Sequence, residues 1–152
     1  MAIYVVRHAK AGDRGGWEGD DRLRPLTKSG DRQAEELAAW LTKEPIDAIL
    51  SSGYLRCVQT LEPLAAQRKL PVVPRKDLEE GAGGESIIRA VREFKGRNVA
   101  LCTHGDVVEE LLELLIGKGL VARSGAKLEK ASTWILEELD GRITSANYRP
   151  AP

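Results

Sequence analysis

Two short apolar runs in this chain each stop at a histidine. Ile3-Tyr4-Val5-Val6 ends in Arg7-His8-Ala9, and Val99-Ala100-Leu101-Cys102 ends in Thr103-His104-Gly105; the chain has no other histidine. A continuous apolar run of this length, bounded by polar and small residues, reads as a strand covered on both faces, which is the pattern of a parallel sheet between helices. Polar side chains are excluded from the middle of such a strand and collect at its end. Two imidazoles and one permanent positive charge are therefore delivered to the edge of a sheet.

The segments between these runs have the 3.6-residue period that such a sheet needs. Residues 11 to 25 carry Gly12, Gly15, Gly16, Gly19 and Pro25 without an apolar period and read as a functional loop. Thr27 is the predicted N-cap of a first helix, from Gln33 to Lys43, whose Ala34, Leu37, Ala38 and Leu41 share one face. A second strand over Ile46 to Leu50 runs through Ser51-Ser52-Gly53 into a helix from about Tyr54 to Arg68, with Leu55, Val58, Leu61 and Ala65 predicted inward.

A brief third strand over Pro71 to Pro74 is followed by Asp77-Leu78-Glu79-Glu80, a glycine-rich link and a third helix from about Glu85 to Lys95 with Ile87, Ala90, Val91 and Phe94 inward. After the His104 strand comes a fourth helix ending at Gly117, with Val108, Leu111, Leu112 and Leu115 inward. A Gly- and Lys-rich connection fills residues 117 to 130. Thr133 to Leu139, with Trp134 as a core residue, and Ile143 to Tyr148 flank the hairpin signal Asp140-Gly141.

Alternation of strand and helix with a closing hairpin predicts one domain over residues 1 to 152. It is of the α/β class: a three-layer α/β/α sandwich whose mainly parallel sheet has an antiparallel C-terminal hairpin edge. At 152 residues such a domain buries roughly 70% of its unfolded surface. Ligands of open α/β sheets lie at the carboxyl ends of the strands, the position shared by Arg7, His8, Ser51, Ser52, His104 and Gly105.

Charge is balanced, 23 basic against 23 acidic residues, which gives no global attraction for nucleic acid or a membrane surface. Any anion site must come from local placement. Cys57 and Cys102 have no paired spacing and read as reduced, buried residues near the site. No apolar stretch approaches the roughly 20 residues of a membrane span, and no signal-peptide pattern opens the chain, so a cytoplasmic protein is expected.

Arg7 and Arg56 can each offer a planar fork of donors to phosphate oxygens, and the Ser51-Ser52-Gly53 turn leads into a helix N-terminus that favours anions. A neutral imidazole held by one ring nitrogen can attack phosphorus with the other, the role that suits His8. His104 then suits charge stabilisation in the transition state. Protonating the leaving oxygen needs a carboxylic acid on a segment able to reach the site, and Glu79 and Glu80, just before a glycine-rich loop, are the candidates. No metal-ligand spacing is present, and no cofactor is expected. Lys10, Arg14 and Lys28 read as solvated charge, whereas Trp17, in the loop, can line a substrate path.

Arg7-His8-Ala9, Ser51-Ser52-Gly53-Tyr54-Leu55-Arg56 with Thr60, Leu78-Glu79-Glu80 and Thr103-His104-Gly105 together resemble the histidine phosphatase superfamily, also called phosphoglycerate mutase-like. The resemblance covers about residues 2 to 116. Arg-His-Ala-Lys-Ala, Arg-Pro-Leu-Thr and His-Gly-Asp-Val are most similar to the small SixA-type phosphohistidine phosphatases and to Nudix-associated phosphatase domains. Ala9 replaces the commoner Gly, and Gly53 stands where many relatives have Pro.

The resemblance implies a metal-independent phosphatase acting through a phosphohistidine on His8. Arg7, Arg56 and His104 would hold the phosphate, and Glu80 would donate the proton. It implies a phosphorylated substrate (phosphoprotein, nucleotide or small phosphate ester); the sequence leaves monomer or homodimer open, the hairpin edge from Thr133 to Tyr148 being able to pair with another chain. The alternatives are a phosphoglycerate-type mutase and a non-catalytic phosphate-binding module.

Overall fold

The computed structural model describes all 152 residues. In chain order the elements are β1 (Ala2–Arg7), α1 (Lys28–Leu41), β2 (Ala48–Ser51), α2 (Leu55–Arg68), β3 (Val72–Pro74), α3 (Glu85–Glu93), β4 (Val99–Thr103), α4 (Gly105–Gly117), β5 (Thr133–Leu139) and β6 (Arg142–Arg149). Short 3₁₀ turns at Arg14–Gly16 and Asp21–Leu23 break the loop after β1, and a third, Lys76–Leu78, precedes the Glu79-Glu80 pair.

The strands form one six-stranded sheet in the order β3-β2-β4-β1-β5-β6. β3, β2, β4 and β1 run parallel, and β5 and β6 add the antiparallel edge. Asp140 (φ 52°) and Gly141 (φ 79°) make the hairpin turn, both in the left-handed region that a two-residue loop of this hand requires.

Alternation along each strand sorts the core into two layers. Ala2, Tyr4, Val6, Ala100 and Cys102 pack with α1 and α2, while Ile3, Val5, Val99 and Leu101 pack with α3 and α4. Trp134 is buried in the second layer. The α/β/α sandwich follows from β1 and β4 being apolar on both faces.

Several boundaries differ from the sequence reading, each for a local reason. Helix α1 begins at Lys28 because the Thr27 hydroxyl accepts the Gly30 N–H at 3.1 Å. Gly30 fits there because a Cβ would stand 2.0 Å from the carbonyl oxygen of Lys10.

On α2 the buried residues are Arg56, Cys57, Thr60, Leu61, Leu64 and Ala65, with Leu55 and Val58 only half-buried. Counting apolar residues alone misplaces this face, because Arg56 and Thr60 point inward to make polar contacts. Helix α3 ends at Glu93, leaving Phe94 half-buried.

In the order β2-β4-β1, the carboxyl ends of three parallel strands lie side by side. Ser51 pairs with Cys102, and Arg7 with Thr103. This register brings the three polar strand ends together.

Candidate active site

Strand β1 ends by handing its last residues to two neighbours. The His8 N–H donates to Thr103 O at 3.1 Å, and the Ala131 N–H donates to Arg7 O at 3.0 Å and to His8 O at 3.2 Å. The Ala9 N–H donates to the Thr60 hydroxyl at 3.0 Å, which in turn donates to Arg56 O at 2.7 Å. Thr60 therefore ties the segment after His8 to the turn of α2 that carries Arg56.

His8 Nδ1 lies 2.8 Å from Ala9 O. A carbonyl can only accept, so Nδ1 carries the hydrogen and the Nε2 lone pair is left free. Burial is the largest influence on this imidazole and pushes its pKa down to about 3; the bond to Ala9 works upward, and the charges of His104, Arg56 and Arg7 push it down further. A neutral, nucleophilic ring results.

The Arg7 guanidinium packs flat against Gly105, where a Cβ would come within 2.8 Å of Cζ. Nη1 donates to Leu128 O at 2.6 Å, whereas Nε is buried without a partner. Burial lowers the Arg7 pKa from its ordinary value, against the upward pull of Glu109.

His104 closes β4 and opens α4. Its Nε2 lies 2.8 Å from Ser52 Oγ and 3.5 Å from Cys57 Sγ, and Ser52 Oγ also accepts from Tyr54 N at 3.2 Å. With the Ser52 hydroxyl hydrogen given to Nε2, the imidazole proton sits on Nδ1, which is 3.6 Å from Glu80 Oε1. The rings of His8 and His104 meet edge to face at 5.6 Å.

Arg56 has no exposed surface. Its Nη1 donates to Asp21 O at 2.9 Å, and its Nη2 reaches Asp21 Oδ2 at 3.1 Å and Glu80 Oε1 at 2.8 Å. Glu80 Oε1 also accepts from Arg14 at 2.7 Å. The acidic segment is pinned by Thr103 Oγ1 donating to Leu78 O at 2.6 Å and by the Gly81 N–H donating to Asp106 Oδ2 at 2.8 Å.

Glu79 faces away into a bidentate pair with Arg22 at 3.0 and 2.9 Å, and those bonds hold its pKa below the usual carboxylate range. Of the two neighbouring acids, Glu80 is the one at the histidines.

Arg7, His8, Glu80 and His104 share the wall of one cavity of about 560 Å³, together with Arg14, Arg24 and Lys130. Arg56 stands behind it, covered by Asp21 and Glu80. Five buried side-chain nitrogen or oxygen atoms lack a hydrogen-bond partner, and three of them are Arg7 Nε, Arg56 Nε and His104 Nδ1. Buried donors are rarely left so; Arg7 and His104 stand at two neighbouring strand ends on the cavity wall, and Arg56 lies behind them in the first turn of α2.

Asp21 and Arg24 were not legible beside the site; Arg14, read as solvated charge, is largely exposed and also pairs with Glu80 at 2.7 Å. They reach the site only because residues 12 to 25 fold back over α2. The one available signal was the i, i+3 spacing of Asp21 and Arg24, which pair at 2.8 Å. Cys57 and Cys102 are both buried as expected, Cys57 directly beneath His104.

Comparison with known proteins identifies the family. The family description of the histidine phosphatase superfamily, branch 1, matches residues 3–87. The chain is 35% identical over 155 residues to an 8-oxo-(d)GTP phosphatase of Mycolicibacterium smegmatis, covering 99% of this chain and 48% of that protein. It is 36% identical over 73 residues to the phosphohistidine phosphatase SixA of Escherichia coli, covering 47% of this chain and 44% of that one. The chain thus spans about half the length of these curated relatives. Among solved structures, a SixA protein from Agrobacterium tumefaciens superposes with a TM-score of 0.80 at 24% identity, over 98% of this chain and 97% of that one. The chain belongs to the histidine phosphatase superfamily.

Proposed function

We propose that this member of the histidine phosphatase superfamily is a metal-independent phosphatase that works through a covalent phosphohistidine on His8. The observation that carries the reading is the meeting in one cavity of a neutral His8, its Nδ1 tied to Ala9 O, with unpartnered buried donors on Arg7 and His104, and with Arg56 directly behind, on Glu80.

His8 Nε2 attacks phosphorus, and the bond from phosphorus to the leaving oxygen breaks. Arg7, Arg56 and His104 neutralise charge on the equatorial oxygens. Glu80, whose Oε1 is fixed by Arg56 and Arg14, carries the proton for the leaving oxygen on Oε2. Water then attacks the phosphohistidine, the P–N bond breaks, and Glu80 takes the water proton back.

The substrate is a phosphorylated protein, nucleotide or small phosphate ester. The relatives' names point in two of these directions, to a phosphohistidine and to a nucleotide.

His8→Ala should reduce aryl phosphate hydrolysis to background and remove acid-labile phosphate labelling of the protein. An alanine variant with normal turnover disproves the mechanism.

A further inference from the structure

The cavity beside His8 is larger than one phosphoryl group needs, and its surplus wall is charged. Apart from the residues already given roles, its charged lining is Arg24 and Lys130 with the acids Asp13 and Glu109, and Leu128 is its one apolar residue. Lys130 belongs to a segment stitched to the nucleophile strand. Leu128 O holds Arg7 Nη1, and Ala131 N–H bonds both Arg7 O and His8 O. Ala131 takes a left-handed φ of 65° to do so, a conformation an alanine adopts only under such constraint. Lys130 is thus held one residue from the bonds to the His8 carbonyl.

Its ammonium group sits among like charges. Burial and then Arg7, Arg24 and Lys10 lower its pKa, and Asp13 alone opposes them. Arg24 spends Nε on Asp21 and Nη1 on Gly12 O, which leaves Nη2 without a protein acceptor. The cavity's acids include Glu80 and Asp106, both already engaged, and Asp13 and Glu109.

Gly12, Asp13 and Arg24 also line a neighbouring groove whose other walls include Trp17 and Pro25. Trp17 is the only aromatic among the exposed large apolar side chains. Cations beside the reacting phosphoryl site, followed by an exposed indole, form the sequence of surfaces that a nucleotide presents in reverse.

We propose that the substrate is a nucleoside 5′-polyphosphate: its terminal phosphoryl lies at His8, its next phosphoryl on Lys130 and Arg24, and its base against Trp17. This rests on the phosphatase reading above and names the substrate class of that same site. In the reaction His8 Nε2 takes the terminal phosphoryl. The bond from that phosphorus to the bridging oxygen breaks, and the electron pair leaves with the nucleoside phosphate. A phosphate monoester has a second pKa of about 6, so this leaving group needs far less protonation than an alkoxide. Water then cleaves the P–N bond, releasing inorganic phosphate and a proton.

The test compares GDP, GMP, methyl diphosphate, an aryl phosphate and a phosphohistidine peptide on wild type, Lys130→Ala, Lys130→Arg and Trp17→Ala. Wild type should favour GDP over GMP and the aryl phosphate by about ten-fold or more in kcat/KM. Lys130→Ala should lower kcat/KM for GDP about ten-fold more than for the aryl phosphate, through KM, and Lys130→Arg should restore most of it. Trp17→Ala should raise KM for GDP about five-fold and narrow its advantage over methyl diphosphate.

Equal losses on GDP and the aryl phosphate overturn the subsite, as does a phosphohistidine peptide that outpaces GDP without dependence on Lys130. If wild type hydrolyses the aryl phosphate through His8 but shows no preference for diphosphates, only the subsite falls. If it hydrolyses none of the five, the phosphatase reading falls with it.

Discussion

Replacing Gly105 by alanine tests whether the position of Arg7 matters separately from its presence. A Cβ at this residue would stand 2.8 Å from Arg7 Cζ and Nη2 and 3.0 Å from Nε. Ordinary contact begins near 3.4 Å, so the guanidinium must retreat by about 0.6 Å or swing aside. Nη1 is anchored on Leu128 O, and the displacement therefore falls on the Nη2 and Nε edge, the one proposed to hold phosphate.

A hydrogen bond to a charged partner contributes about 1.5–3 kcal/mol, and a misplacement of this size at a reacting centre costs up to about 100-fold. The expected loss in kcat/KM is about 10- to 100-fold. Folding should barely respond. Gly105 opens α4 with an ordinary backbone φ, the clash is with a side-chain end, and alanine is the better helix former by up to about 1 kcal/mol. Steady-state kinetics on an aryl phosphate, paired with thermal melts, separates the two effects. Unchanged kcat/KM would refute the placement of Arg7 as a phosphate ligand held by this glycine. A melting temperature lower by about 10 °C would show instead that the clash is absorbed by the fold.

Gly30→Ala should do the reverse, because its Cβ meets the backbone oxygen of Lys10 at 2.0 Å; overpacking of about 1–3 kcal/mol should lower the melting temperature by at least about 3 °C, while Gly117→Ala, with nothing within 4 Å, serves as the control. Glu80→Gln should depend on the leaving group, costing about 100-fold on an alkyl phosphate but less than about ten-fold on p-nitrophenyl phosphate; equal losses would remove Glu80 as the proton donor. His8 also carries a pH signature. Its pKa falls from 6.5 unfolded to about 3 folded, so between these values the unfolded chain binds the extra proton and stability drops as pH falls, by an amount on the order of a few kcal/mol, with no contribution above about pH 7. Denaturant melts at pH 7 and pH 4 should show His8→Asn losing less stability than wild type on acidification, and identical losses would contradict the buried neutral imidazole.

The residues with the strongest chemistry were legible because they sit where an apolar pattern stops. Arg7-His8 and His104 follow runs that can only be buried strands, and Ser52 follows the strand between them. Chain order and the preference for parallel pairing then place all three ends on one side of the sheet. Helix α2 was less legible. Its inward face carries Arg56 and Thr60, and a reading that equates inside with apolar rotates the helix away from them. From sequence, Glu80 was set apart from Glu79 only by the resemblance of Leu78-Glu79-Glu80 to the family. In the structure the two are separated by which arginine claims each: Arg22 draws Glu79 outward, and Arg56 and Arg14 draw Glu80 inward.

Local pattern thus determines the sheet, the helices and the positions of the two histidines, because the 2.0 and 3.6 periods and the polar ends of buried strands are properties of neighbouring residues. The loop from Gly12 to Pro25 and the connection ending at Lys130 have no such period. Asp21, Arg14, Arg24 and Lys130 come to the site through hydrogen bonds made across the fold, from Arg56 to Asp21 and from Ala131 to Arg7 and His8. Those contacts join residues 35 and more than 120 positions apart in the chain, and only the assembled tertiary structure decides them.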